Sequence, residues 1–89
     1  MLRKPMANEA DEITRRGEEI FAKSVRQKIE GEDPENCVVI DVDSGDFEVD
    51  ADDVLASDRL LERRPNARAY LRRVGSKFLY HFGGSSRRR

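Results

Sequence analysis

The sequence predicts an α+β fold: one small domain in which helices pack on one face of a mostly antiparallel four-stranded sheet, in the order α-β-β-α-β-β. Three observations lead there. Apolar residues recur at helical spacing between Glu9 and Ile29. The runs Cys37–Val42 (CVVIDV) and Ala67–Val74 (ARAYLRRV) are rich in β-branched residues or alternate in character. Gly and Pro at positions 31, 34, 45, 65 and 75 cut the chain into short pieces.

Residues 1–8 carry no periodicity and read as a disordered start. From about Glu9 to Ile29 the apolar residues Ile13, Ile20, Phe21, Val25 and Ile29 share one helical face, and Arg15, Arg16, Glu18, Glu19, Lys23, Arg26 and Lys28 fall largely on the other. Gly17 weakens this helix by about 1 kcal/mol relative to Ala and permits close packing. Gly31 and Pro34 end it, leaving a linker over Glu30–Asn36. Cys37–Val42 then forms a hairpin with Phe47–Val49 through the turn Asp43-Ser44-Gly45-Asp46, with Val38, Ile40 and Val42 on one side. Asp50 stands at the N-cap position of a second helix, about Ala51 to Arg63, which is expected to bury Val54, Leu55 and Leu61 and to stop at Pro65. Two more strands follow, Ala67–Val74 and Phe78–Phe82, joined at Gly75-Ser76. The domain spans 9–83, and the Ser/Arg tail 84–89 has nothing apolar to bury and is expected to be flexible.

The charges are sorted along the chain. There are 17 basic and 18 acidic residues, a net charge of −1, yet Glu30 to Asp53 holds eleven carboxylates and no Lys or Arg. From Val54 onward ten basic residues face only Asp58 and Glu62. Such segregation speaks to association and steering. No run approaches the roughly 20 apolar residues of a membrane span, and Met1 to Ala10 lacks a signal-peptide core, so a cytoplasmic location without membrane contact is expected. Cys37 is the single cysteine, which excludes an intramolecular disulfide; beside Val38 and Val39 it reads as a buried small hydrophobe.

Two motifs resemble chemistry and fail on inspection. Asp43-Ser44-Gly45 after an apolar strand has the form of an aspartic-protease signature, but Asp46 and a returning strand follow at once, as in a hairpin turn. Asp41-x-Asp43 opens like a calcium loop, but Gly falls at the fifth place, Phe47 takes the carbonyl-ligand place and Asp52 replaces the bidentate Glu. No catalytic residue, cofactor site or metal site is therefore assigned. The candidate partner-binding residues are Arg63, Arg64, Arg68, Arg72 and Arg73, with Lys77, Tyr70, Tyr80 and His81 nearby. Cations and aromatics of this kind hold phosphates and stack bases; they serve equally in ion pairs with the acidic hairpin, such as Arg72 and Lys77 across the sheet, or in contact with a protein.

The stretches Gly17-Glu18-x-Ile20-Phe21, Val38-Val39-Ile40-Asp41-Val42-Asp43-Ser44-Gly45-Asp46-Phe47-Glu48-Val49-Asp50, Ala51-Asp52-Asp53, Asp58-Arg59-Leu60-Leu61-x-Arg63-Arg64-Pro65 and Arg73-Val74-Gly75 resemble a family of small uncharacterised bacterial proteins, largely cyanobacterial. The resemblance covers about residues 13–84. It implies an accessory or antitoxin-like role, since some members are encoded beside small aspartic-protease-like proteins. Relatives often carry Glu-Thr-Gly in place of Asp43-Ser44-Gly45, which implies a turn role for Asp43. The chain departs from the family after Gly75, where Ser76-Lys77-Phe78-Leu79 replaces a Tyr-Pro-containing stretch.

The expected function is thus a small cytoplasmic protein-interaction module, not an enzyme, that binds a protein partner or itself, a homodimer included. The alternative is a nucleic-acid-binding accessory protein that uses the basic C-terminal half. Whether the five arginines converge on one open face or disperse into local ion pairs discriminates between the two.

Overall fold

The computed structural model describes residues 8–75 with their side chains, and the backbone of Ala7 and of 78–82. The order is α1 (Ala7–Ile20), a π-helical segment (Phe21–Val25), α2 (Arg26–Lys28), β1 (Cys37–Asp41), β2 (Phe47–Asp50), α3 (Asp53–Arg63), β3 (Ala69–Arg73) and β4 (Phe78–Phe82). The expected N-terminus 1–8, the Gly75-Ser76 turn and the tail 84–89 lie wholly or partly outside the described residues.

The sheet runs β2-β1-β3-β4 with every neighbouring pair antiparallel. β2, β1 and β3 are described with their side chains, and β4 by its backbone. Val39 at the centre pairs with Glu48 on one side and Leu71 on the other. β4 joins the outer side of β3 with an irregular register at Leu71/Arg72.

The expected arrangement, α-β-β-α-β-β with both helices on one face of a four-stranded sheet, is corrected: α+β holds, but the helices lie on opposite faces. On one side Ile13, Phe21, Val25 and Ile29 pack against Val38, Ile40, Val42 and Tyr70. On the other, Ala56, Leu60 and Leu61 pack against Cys37, Val39, Ala69 and Leu71. The reason is visible in β1, whose five residues are all buried. A strand buried on both faces needs a cover on each, whereas a half-buried strand alternates.

The first helix is not continuous either. Ile13, Gly17, Phe21, Val25 and Ile29, all buried, recur every fourth residue. At 3.6 residues per turn each such step drifts by about 40°, so a regular α-helix would carry Val25 and Ile29 off the sheet. The wider π turn at Phe21–Val25, closed by the Arg26 N–H donating to Phe21 O, takes up the drift. Gly17 sits where the helix meets the sheet: a Cβ there would lie 2.3 Å from Cγ of Tyr70.

α3 begins two residues later than expected. Asp52, not Asp50, is the N-cap, its side chain accepting from the Val54 N–H, while Asp50 ends β2 and accepts from the Asp52 N–H at 2.8 Å. With that start Ala56, Ser57, Leu60 and Leu61 face the sheet. Val54 and Leu55, expected in the core, are 57% and 50% exposed. The linker is closed by Gly75, whose N–H donates to Pro34 O at 2.9 Å and whose missing Cβ leaves room for the Pro34 ring. Among the described residues no helix is long and apolar enough to cross a membrane.

Candidate functional site

The hairpin turn is organised by Asp41 at the end of β1. Its buried carboxylate accepts from Asp43 N–H (3.2 Å), Ser44 Oγ (2.8 Å) and Arg68 N–H (3.3 Å). Gly45 completes the turn at φ +83, a conformation that suits glycine. This local wiring turns Asp43 outward, toward Arg68.

Arg68 holds Asp43 through Nε at 2.9 Å and Nη2 at 2.8 Å, and reaches Glu12 on α1 at 3.1 Å through Nη1. The Asp43 carboxyl is held below the usual carboxylate range by that guanidinium, and Glu12 likewise by Arg68 and then Arg16. Arg63 bonds Asp46 (3.0 Å) and Glu48, and Arg64 approaches Asp46 at 3.4 Å. Arg59, from the same helix, bonds Glu48 at 2.9 Å and Asp50 at 3.0 Å. Burial pushes the Glu48 carboxyl up, but its bonds to Arg59 and Arg63 outweigh that and leave it lowered. Asp46 is lowered chiefly by Arg63, and Asp50 first by the Asp52 N–H and then by Arg59.

Arg72 behaves differently. It is 7% exposed, its guanidinium lies 3.8 Å from the centroid of the Phe21 ring, Nη1 is 3.1 Å from each Glu18 oxygen, and Nε donates to Arg73 O. The Tyr70 hydroxyl donates to the same Glu18 carboxylate. Arg72 therefore stitches β3 to α1 and the π turn, not to the acidic hairpin. Arg73 is half exposed and touches the linker at Glu35, with a carboxylate oxygen at 3.5 Å.

The five arginines singled out from the sequence do not converge on one open face. Each is tied within the chain: Arg63 and Arg64 to Asp46, Arg68 to Asp43, Arg72 to Glu18 and Arg73 to Glu35. Blocks of charge that are segregated in sequence thus interleave in space, because β1-β2 and α3-β3 are packed side by side. Lys77 lies outside the described residues, and Tyr80 and His81 are described only as backbone.

Charges without an ion-pair partner among the described residues include Asp11 and Glu19 on α1, Glu30, Glu32 and Asp33 in the linker, and two further groups. Arg15, Lys23, Arg26 and Lys28 lie on the N-terminal helical segment. Asp52, Asp53, Asp58 and Glu62 lie on or just before α3, which also carries the exposed Val54 and Leu55. At helical spacing, Val54, Leu55, Asp58 and Glu62 share the face of α3 turned away from the sheet. Sequence reasoning missed this face by placing Val54 and Leu55 in the core; the signal for it was Ala56 and Leu60, spaced by four residues with Ser57 and Leu61 beside them.

Two shallow clefts, each of about 340 Å³, flank these networks. One, at the C-terminal end of the first helix, is lined by Phe21, Arg26, Ile29, Arg72 and Val74 together with Glu30 and Glu32, and so mixes both signs of charge. The other lies between Asp41, Asp43 and the loop Arg63–Ala67. Cys37 is buried, and burial pushes its thiol up. No group of three or more His, Cys, Asp or Glu is placed to hold a metal ion among the described residues. Comparison with family models, curated proteins and solved structures finds no match to this chain.

Proposed function

We propose that the chain is a small cytoplasmic protein-interaction module, an accessory partner of another protein rather than an enzyme, and that it docks a basic, apolar-bearing partner on the outer face of α3. One observation carries this reading: Arg59, Arg63, Arg64, Arg68, Arg72 and Arg73 are already paired with carboxylates of the same chain, whereas Asp58 and Glu62, which share a helix face with two exposed apolar side chains, and Asp52 and Asp53 just before them have no ion-pair partner among the described residues. An apolar centre with a charged rim is the common anatomy of an interaction surface. Its negative sign selects a partner that offers Lys or Arg around an apolar anchor. The alternative, nucleic-acid binding by Arg63, Arg64, Arg68, Arg72 and Arg73, would require breaking pairs that the fold already makes.

The test is a titration of the full chain with an amphipathic helical peptide of Leu and Lys, followed residue by residue by NMR. The reading expects shift changes centred on Val54, Leu55, Asp58 and Glu62, and affinity reduced several-fold by Val54→Ser/Leu55→Ser. Changes confined to the acidic linker Glu30–Asn36, or affinity indifferent to that double substitution, would contradict it.

A further inference from the structure

β2 is an edge strand: among the described residues β1 is its single neighbour in the sheet. The Asp41 N–H donates to Asp46 O, so along β2 the backbone groups of Glu48 and Asp50 face β1 while those of Phe47 and Val49 face outward. Edge groups of this kind ordinarily invite another strand. Here three of the four are occupied by side chains of the same molecule. Phe47 N–H donates to Asp46 Oδ1 at 3.0 Å, Phe47 O accepts from Arg63 Nη2 at 3.3 Å, and Val49 O accepts from Arg59 Nη2 at 3.1 Å. Both guanidiniums are in turn held by the carboxylates of the hairpin, Arg59 by Glu48 and Asp50, Arg63 by Asp46 and Glu48.

We propose that Arg59 and Arg63 shutter the β2 edge, and that the occupant they exclude is the β2 strand of a second copy of this chain. The uncovered edge would be self-complementary. A two-fold axis at Glu48 sets Phe47 of each copy opposite Val49 of the other, so that both outward residues pair at once. The same axis sets Glu48 against its own copy, and like charges directly opposite oppose pairing. The shutter therefore has two parts, a guanidinium on each outward carbonyl and an acidic side chain between them.

The experiment compares three full-length proteins by sedimentation over a wide range of concentration: the unaltered chain, Glu48→Gln, and Glu48→Gln/Arg59→Met/Arg63→Met. The first two are expected to stay monomeric and the third to double in mass. Adding Val49→Pro, which removes an outward N–H without touching the ladder to β1, is expected to restore the monomer. A triple variant that keeps its circular dichroism and remains monomeric overturns the proposal, as does association that Val49→Pro fails to suppress. Should the triple variant unfold, arginine-detected NMR on the unaltered protein decides: shuttering requires hindered rotation of the Arg59 and Arg63 guanidinium groups, and free rotation of both overturns it.

Discussion

Arg68 grips Asp43 with two parallel hydrogen bonds, Nε to Oδ2 at 2.9 Å and Nη2 to Oδ1 at 2.8 Å, so the aspartate of the Asp-Ser-Gly turn serves as an anchor for a guanidinium. Asp41, two residues earlier, is buried and carries the turn. The two carboxylates therefore differ in consequence. Asp43→Asn should keep the fold and any biological activity and cost within about 1 kcal/mol, as exposed ion pairs do. Asp41→Ala should cost about 1–3 kcal/mol, because it strands partly buried donors. Chemical denaturation ranks them; a selective loss of activity in a folded Asp43→Asn variant would restore a catalytic reading.

Gly17→Ala reverses the usual sign of that substitution in a helix. Helix propensity favours Ala by about 1 kcal/mol, but the new Cβ would lie 2.3 Å from the Tyr70 ring, and overpacking of this kind costs about 1–3 kcal/mol. A lower melting temperature is expected, with partial recovery when Tyr70 is also reduced to Leu. A stabilised Gly17→Ala protein would mean that α1 does not approach β3 this closely.

Ser57 is the opposite case. It is buried under α3, and its hydroxyl has no hydrogen-bond partner among the described residues. Ser57→Ala removes an unsatisfied polar atom and improves helix propensity, so stability should rise by about 1 kcal/mol. A loss of similar size, read in the same denaturation experiment, would show that the hydroxyl is paired in solution.

Legibility from sequence followed the physics of each element. The hairpin and its turn were readable because β-branched runs and Asp-Ser-Gly act locally. The side of the sheet each helix covers was not, since Cys37, Val38, Val39 and Ile40 of β1 are all apolar and give no alternation to choose a face. The π turn was hidden for a related reason: Phe21, Val25 and Ile29 satisfy a helical pattern by fours whether the helix or the sheet bends to suit them. The face of α3 was misread at Val54 and Leu55, where large apolar side chains outweighed the smaller Ala56 and Ser57 that in fact face the sheet. Charge sorting was plain in the sequence, but which opposite charges meet depends on β3 pairing with β1, a contact far apart along the chain.

Acid should loosen this network. The carboxyls of Glu12, Asp43, Asp46, Glu48 and Asp50 are all lowered in the folded protein. A carboxyl lowered on folding contributes stability that is present above its unfolded value, near 4, and is lost as pH falls through the folded value. The melting temperature should therefore be flat around neutrality and fall as pH drops below about 4. Raised salt should reduce the loss, because it screens exposed pairs. A melting temperature that rises on acidification would contradict the pairing.

The central claim is that Arg59, Arg63, Arg64, Arg68, Arg72 and Arg73 are used inside the fold and do not form an open phosphate-binding face. Fluorescence anisotropy with labelled duplex and single-stranded DNA tests it most directly, on the full chain carrying Arg87→Gln, Arg88→Gln and Arg89→Gln so that the tail makes no contribution. At physiological ionic strength the account predicts no binding tighter than about millimolar, weaker than the nonspecific binding typical of phosphate-contacting proteins. Micromolar binding that weakens steeply with salt and disappears on Arg72→Ala/Arg73→Ala would contradict it.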